Sequence, residues 1–179
     1  MDKKITLNNL FEFSTSLESH SLKWMFEDAN GLISTEFLDQ IIPLNNNASQ
    51  YLWNVERTQK QFHSIANIKK YFKKHSELKF ANKEKTKKWL YQRGIPFDRQ
   101  VFWVSQPDSG FIMTWKMIIK FSENLFFAHD VLVWDQSLNW ILLFSHDDIF
   151  CFGEEFDSTI LNKETETLTK LIYNFKSNK

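Results

Sequence analysis

The stretch VLVWDQSLNWILLFSHDDIFCF, Val131 to Phe152, consists of three apolar runs separated by two polar breaks. VLVW, NWILLFS and IFCF are apolar at nearly every position and lack the alternation of a strand with one wet face. Such density is expected where both faces of a strand are covered, so the three runs read as the centre of a sheet. Asp135-Gln136-Ser137 and His146-Asp147-Asp148 fall where antiparallel neighbours must reverse. Asp suits both places, because its side chain satisfies turn backbone groups.

Working outward, VFWVS (101–105) is a short β-branched and aromatic run, and QPDSG after it is turn chemistry. The segment from Thr114 reads two ways. Strict alternation makes Thr114, Lys116 and Lys120 a polar strand face, whereas Trp115, Ile118, Ile119, Ser122 and Leu125 form a helical stripe that Thr114 could cap. The helix is the reading adopted. Downstream, Leu168, Leu171, Ile172 and Phe175 have the spacing of a terminal amphipathic helix that could cover one sheet face.

The first hundred residues carry helical spacing. Ser34 is placed to cap a short helix through Phe37, Leu38 and Ile41 that Pro43 ends, and Asn47 a second through Tyr51, Leu52 and Val55. Phe62, Ile65, Ile68, Tyr71 and Phe72 continue the pattern into a Lys-rich segment that breaks near His75. Asn82 opens a helix with Trp89 and Leu90 facing inward, closed by Gly94 with Ile95-Pro96 behind it. The fold class expected is α+β in a single domain, 1–179. A mainly helical N-terminal half, 1–96, precedes a small antiparallel sheet and a C-terminal helix within 97–179.

At 179 residues the chain suffices for one domain with a substantial core, and 18 Phe and 7 Trp make that core rich in rings. One Cys excludes an internal disulfide. Polar residues break every apolar run near the N-terminus before signal-peptide length, and no window nears the ~20 apolar residues of a membrane-spanning helix. A cytoplasmic protein outside the membrane is expected.

Net charge is zero but unevenly distributed. Residues 1–55 carry 3 basic and 7 acidic side chains, 56–100 carry 13 and 4, and 101–179 carry 6 and 11. Such asymmetry can mark a charged partner, unless the segments interleave in space and cancel.

Several constellations could carry chemistry. His146 and Cys151 are both metal-ligand types, but positions five apart on a paired strand point to opposite faces, and Cys151 lies between Phe150 and Phe152. A buried thiol also argues against a Cys/His nucleophile. Asp147-Asp148 with Glu154 or Glu155 could hold Mg²⁺ for a metal-dependent hydrolase, yet neither GxGxxG nor GxxxxGK[ST] occurs to cradle phosphates. Lys69, Lys70, Lys73 and Lys74, then Lys83, Lys85, Lys87 and Lys88, could follow a nucleic-acid backbone as an accessory binding protein. Their aromatic neighbours, however, sit at core-facing spacing, and the chain is rich in Lys and poor in Arg, which makes bidentate phosphate contacts. No enzyme activity, metal or cofactor is expected from this pattern. What stands out is an acidic rim of Asp147, Asp148, Glu154, Glu155 and Asp157.

Over about forty residues, Thr114 to Gly153, the chain resembles bacterial immunity proteins of polymorphic toxins. The matching positions are Trp115, Phe126, Phe127, Asp130, Trp140, His146, Asp147 and Gly153, with a looser likeness around LKWMFEDANGLISTEFLDQIIPL (22–44). Ser122-Glu123-Asn124 departs from that pattern, which has an aromatic followed by two acids. The resemblance implies a small cytoplasmic protein that neutralises a cognate toxin domain by direct contact, as in contact-dependent growth inhibition or type VI secretion. Many such toxins are nucleases with basic clefts, so the acidic rim is the contact it suggests.

Overall fold

The structure, a computed structural model, describes residues 4–58, 62–127 and 129–157. Its strands are β1 (Ile41–Pro43), β2 (Phe72–Lys79), β3 (Gln100–Gln106), β4 (Ser109–Thr114), β5 (Val131–Trp134), β6 (Trp140–Ser145) and β7 (Ile149–Phe156). Its α-helices are α1 (Asn46–Arg57), α2 (Ile65–Tyr71), α3 (Lys83–Tyr91), α4 (Trp115–Lys120) and α5 (Ser122–Leu125). Short 3₁₀ turns occupy much of the chain before β1. All seven strands join one sheet in the order β1-β4-β3-β5-β6-β7-β2, every pair antiparallel.

The dense apolar runs are central strands because helices close both sheet faces. Trp103, Val133, Leu142, Phe144, Phe150 and Phe152 point to one face, under Leu90 of α3, Met117 and Ile118 of α4 and the 3₁₀ residues Met25, Phe26 and Phe37. Phe102, Leu132, Trp134, Leu143 and Cys151 point to the other, under Leu52 and Val55 of α1, Ile68 and Tyr71 of α2, and Leu7 and Leu10. Alternation along each strand therefore assigns residues to two cores.

Both expected reversals are present. In the β5–β6 turn Asp135, 3% exposed, accepts from Ser137 N (2.9 Å), from Ser137 Oγ (2.5 Å) and from Trp140 Nε1 (3.2 Å). Three donors satisfy a carboxylate that would otherwise be costly to bury. The turn also holds Leu138 at φ 49°, a left-handed conformation unusual for a branched residue.

The expected fold class needs correction. The sheet is large, and two of its strands lie inside 1–96, the half expected to be mainly helical. Ile41-Ile42-Pro43 is an edge strand and not the end of a helix: Pro43, with no N–H to donate, is tolerated at an edge. Phe72–Lys79 is the opposite edge; helical spacing continues only to Tyr71, after which the backbone extends at Phe72 (φ −116°, ψ 133°). Lys73, Lys74 and Lys79 there are charges on a sheet edge, which blunt edge-to-edge pairing. Ser34 precedes only a 3₁₀ turn, Thr35–Phe37. Asn45, not Asn47, caps α1 by accepting from Ala48 N at 3.0 Å. β4 was hidden behind the QPDSG turn. It is tied to α1 by Ser49 Oγ, which accepts from Gly110 N (3.0 Å) and donates to Leu44 O (3.2 Å). Asn82 does cap α3, accepting from Lys85 N at 2.9 Å. The described chain closes on β7, with no helix after it, and the segment expected as a C-terminal helix, around Leu168 to Phe175, lies outside the described residues. Among the described residues no helix is long and apolar enough to cross a membrane.

Candidate interaction surface

The β6–β7 hairpin builds the most organised polar group on the surface. Ser145 pairs with Ile149, leaving His146, Asp147 and Asp148 as a three-residue loop closed by Asp148 N donating to Ser145 O at 2.9 Å. Such loops need a left-handed residue, and Asp148 supplies it at φ 59°. Asp148 O accepts from Phe80 N at 2.7 Å, fastening the loop to the end of the edge strand β2.

Asp130, just before β5, holds the loop from the other side. Its Oδ1 accepts from His146 N at 2.7 Å and lies 2.8 Å from His146 Nδ1. Because a carboxylate only accepts, Nδ1 carries the proton and Nε2 is the free nitrogen, 3.9 Å from Asp147 Oδ1. The hydrogen bond to Asp130, then the charges of Asp130 and Asp147, raise the pKa of His146 above its ordinary value. Cys151 is fully buried on the α2 side of the sheet, where burial pushes its thiol up to about 12. It shares no site with the exposed His146.

The five acids expected as one rim are divided. Asp147 and Asp148 immediately precede β7, whereas Glu154, Glu155 and Asp157 lie at its far end, roughly 20 Å away at strand rise. Glu155, at φ 61°, donates its N–H to Asn139 O (2.9 Å) and makes an ion pair with Lys74. Asp157 N donates to Tyr71 O at 2.8 Å. Lys69 pairs with Glu77 (2.6 Å) and Lys83 with Glu123 (2.8 Å). The charged segments thus interleave in part, and at the far end acids and lysines alternate.

Two features were not legible in the sequence. Trp24 and Phe127 stand half-exposed, 49% and 41%, with ring centroids 5.8 Å apart edge-to-face, and His129 follows at 6.4 Å from Phe127. The two residues are a hundred positions apart, so no spacing could join them. The second is Glu56, 1% exposed on α1, with Oε1 3.8 Å from His63 Nε2 and Oε2 without a hydrogen-bond partner among the described residues. Burial pushes its carboxyl well above the usual range. Burial likewise lowers His63. Leu52, four residues earlier on the same face, and the neighbouring Val55 were the hints that this turn of α1 faces inward.

No family model, curated protein or solved structure matches the chain.

Proposed function

We propose that this chain is an immunity protein, which binds a cognate bacterial toxin domain in the cytoplasm and neutralises it by direct contact rather than by catalysis. The observation that carries this reading is the fixed acidic hairpin. Asp130 clamps His146 at two nitrogens, so Asp147 and Asp148 are presented by a loop that is already ordered. A preorganised surface loses less conformational entropy on association, and complementary charge speeds encounter with a basic partner. The resemblance over Thr114–Gly153 supports the same reading, since it includes Asp130, His146 and Asp147. A nuclease, with a cleft shaped for phosphate, is the toxin type whose basic surface best complements this hairpin.

Co-expression with the product of the neighbouring open reading frame tests the proposal. Co-purification as a stable complex, together with restored growth of cells expressing that product, is the expected result. Growth arrest that this chain does not relieve, with no complex on gel filtration, would contradict it.

A further inference from the structure

We infer that the face formed by α3 and α4 binds single-stranded nucleic acid, with Tyr91 and Phe97 as a base-stacking platform and Lys87, Lys88, Lys116 and Lys120 as phosphate contacts. It uses no residue of the acidic hairpin and so goes beyond the reading just proposed. Core-facing spacing does remove Tyr71 and Phe72, each 3% exposed. Tyr91 and Phe97 are instead 63% and 49% exposed, with ring centroids 5.6 Å apart. Two rings left in water and in contact with each other present the π-faces on which bases stack. The lysines divide as the rings do. Lys69 and Lys74 are engaged by Glu77 and Glu155, and Lys83 by Glu123. Among the described residues Lys87, Lys88, Lys116 and Lys120 form no ion pair, and all but the half-buried Lys87 are exposed.

These lysines are continuous with the rings. Lys87 and Lys88 stand one turn before Tyr91 on the same side of α3. Lys116 N donates to Phe97 O at 3.0 Å, which ties the start of α4 to the loop bearing that ring. Lys116 and Lys120, one turn apart, hold their ammonium groups 6.0 and 4.4 Å from the Phe37 ring, and Lys120 lines one groove with Lys83 and Lys87. Across that groove Glu27 pairs with Lys23 and Asp28 accepts from Asn30 N and Leu32 N in its own loop, which leaves Glu36 as the opposing acid. Residues 83–99 and 115–125 together carry eight basic and three acidic side chains, so the face keeps a positive excess. Its arginines are already engaged: Arg93 lies over the Trp89 ring at 4.3 Å and bonds Ser76, and Arg99 lies 3.7 Å from Asp135. Without a free guanidinium fork the face recognises phosphate charge and ring stacking, not base identity. A single strand, whose base faces are open, is the form that fits.

The test is a titration of the isotope-labelled full chain with a dodecamer of deoxythymidine, followed by NMR shifts at low salt. Expected are saturable shifts at Tyr91, Phe97, Lys88 and Lys116, with Asp147 and Lys69 unmoved. Affinity should fall with salt at a log–log slope of about −3, from roughly 0.7 per lysine contact. Lys88→Gln/Lys116→Gln should reduce that slope by about 1.4. Tyr91→Ser, which removes a mostly exposed ring, should weaken binding about fivefold or more at fixed salt and leave the slope unchanged. Melting curves verify that each variant is folded. No saturable shift at low salt would overturn the inference. So would a duplex that binds as tightly as the single strand with Tyr91→Ser without effect, which would leave a charged face and no stacking platform. A capped hexa-glutamate peptide that binds more tightly at the same residues would also overturn it, because an acidic protein segment would then be the occupant.

Discussion

At the scale of single residues, Glu56 is the group whose chemistry departs furthest from its type. Its folded-state pKa lies above the unfolded value, so its contribution to stability is fully present below about pH 4.5 and is lost as pH rises through the folded value. His63 has the opposite sign: its pKa is lowered, so stability is lost as pH falls from about 6.5 through the folded value. Glu56→Gln keeps the shape and removes the ionisation. Denaturant melts should find the variant at least as stable as the parent at neutral pH, with an advantage that grows as pH rises above about 4.5. A variant less stable by ~2 kcal/mol or more at neutral pH would instead identify an ionised, hydrogen-bonded carboxylate. None of this was readable from a Glu in a charged segment, because burial of a polar residue depends on which strand its helix covers. Cys151 is the contrary case: Phe on both sides in a dense apolar run announced burial, and the thiol is buried.

At the scale of elements, the packing of α2 onto β7 depends on one missing side chain. A Cβ at Gly153 would lie 2.7 Å from Ile68 Cγ2 and 2.7 Å from Phe72 Cγ, closer than buried atoms tolerate. Gly153→Ala should lower stability by ~1–3 kcal/mol as overpacking, measured by urea or thermal melts. A loss below about 0.5 kcal/mol would mean that α2 is not seated where the structure places it. The central strands β5, β6 and β7 were legible because full burial imposes an unbroken apolar run. α3 was legible because Asn82 is a local start signal and Gly94 a stop signal, Gly94 taking φ 71°. The edges were not legible. β2 is apolar on little of its surface and continues a helical spacing, and β1 is three residues long and ends in Pro. Edge strands hide in sequence because the charges that protect them also remove their periodicity. The hairpin turn was foreseen, whereas its clamp by Asp130, sixteen residues away, required the pairing of β5 with β6 to be known.

At the scale of the whole molecule, closing both faces of an antiparallel sheet leaves the polar chemistry to turns and strand ends. The two ends of β7 then differ in kind. At one, Asp147 and Asp148 extend from a loop fixed by Asp130 and Phe80; at the other, Glu155 is already paired with Lys74. The proposed basic toxin should meet the first as exposed carboxylates, Asp147 beside the imidazole of His146, and the second as a strip where Glu155 is already paired with Lys74. The most direct measurement is calorimetric affinity for the co-purified toxin domain, comparing Asp147→Lys/Asp148→Lys with Glu154→Lys/Glu155→Lys, each verified as folded by its melting curve. The account predicts that reversing the hairpin acids costs ~2–5 kcal/mol of binding and abolishes protection of cells, with only a rate and salt effect from the far pair. Hairpin variants that bind and protect like the parent at physiological salt would contradict it.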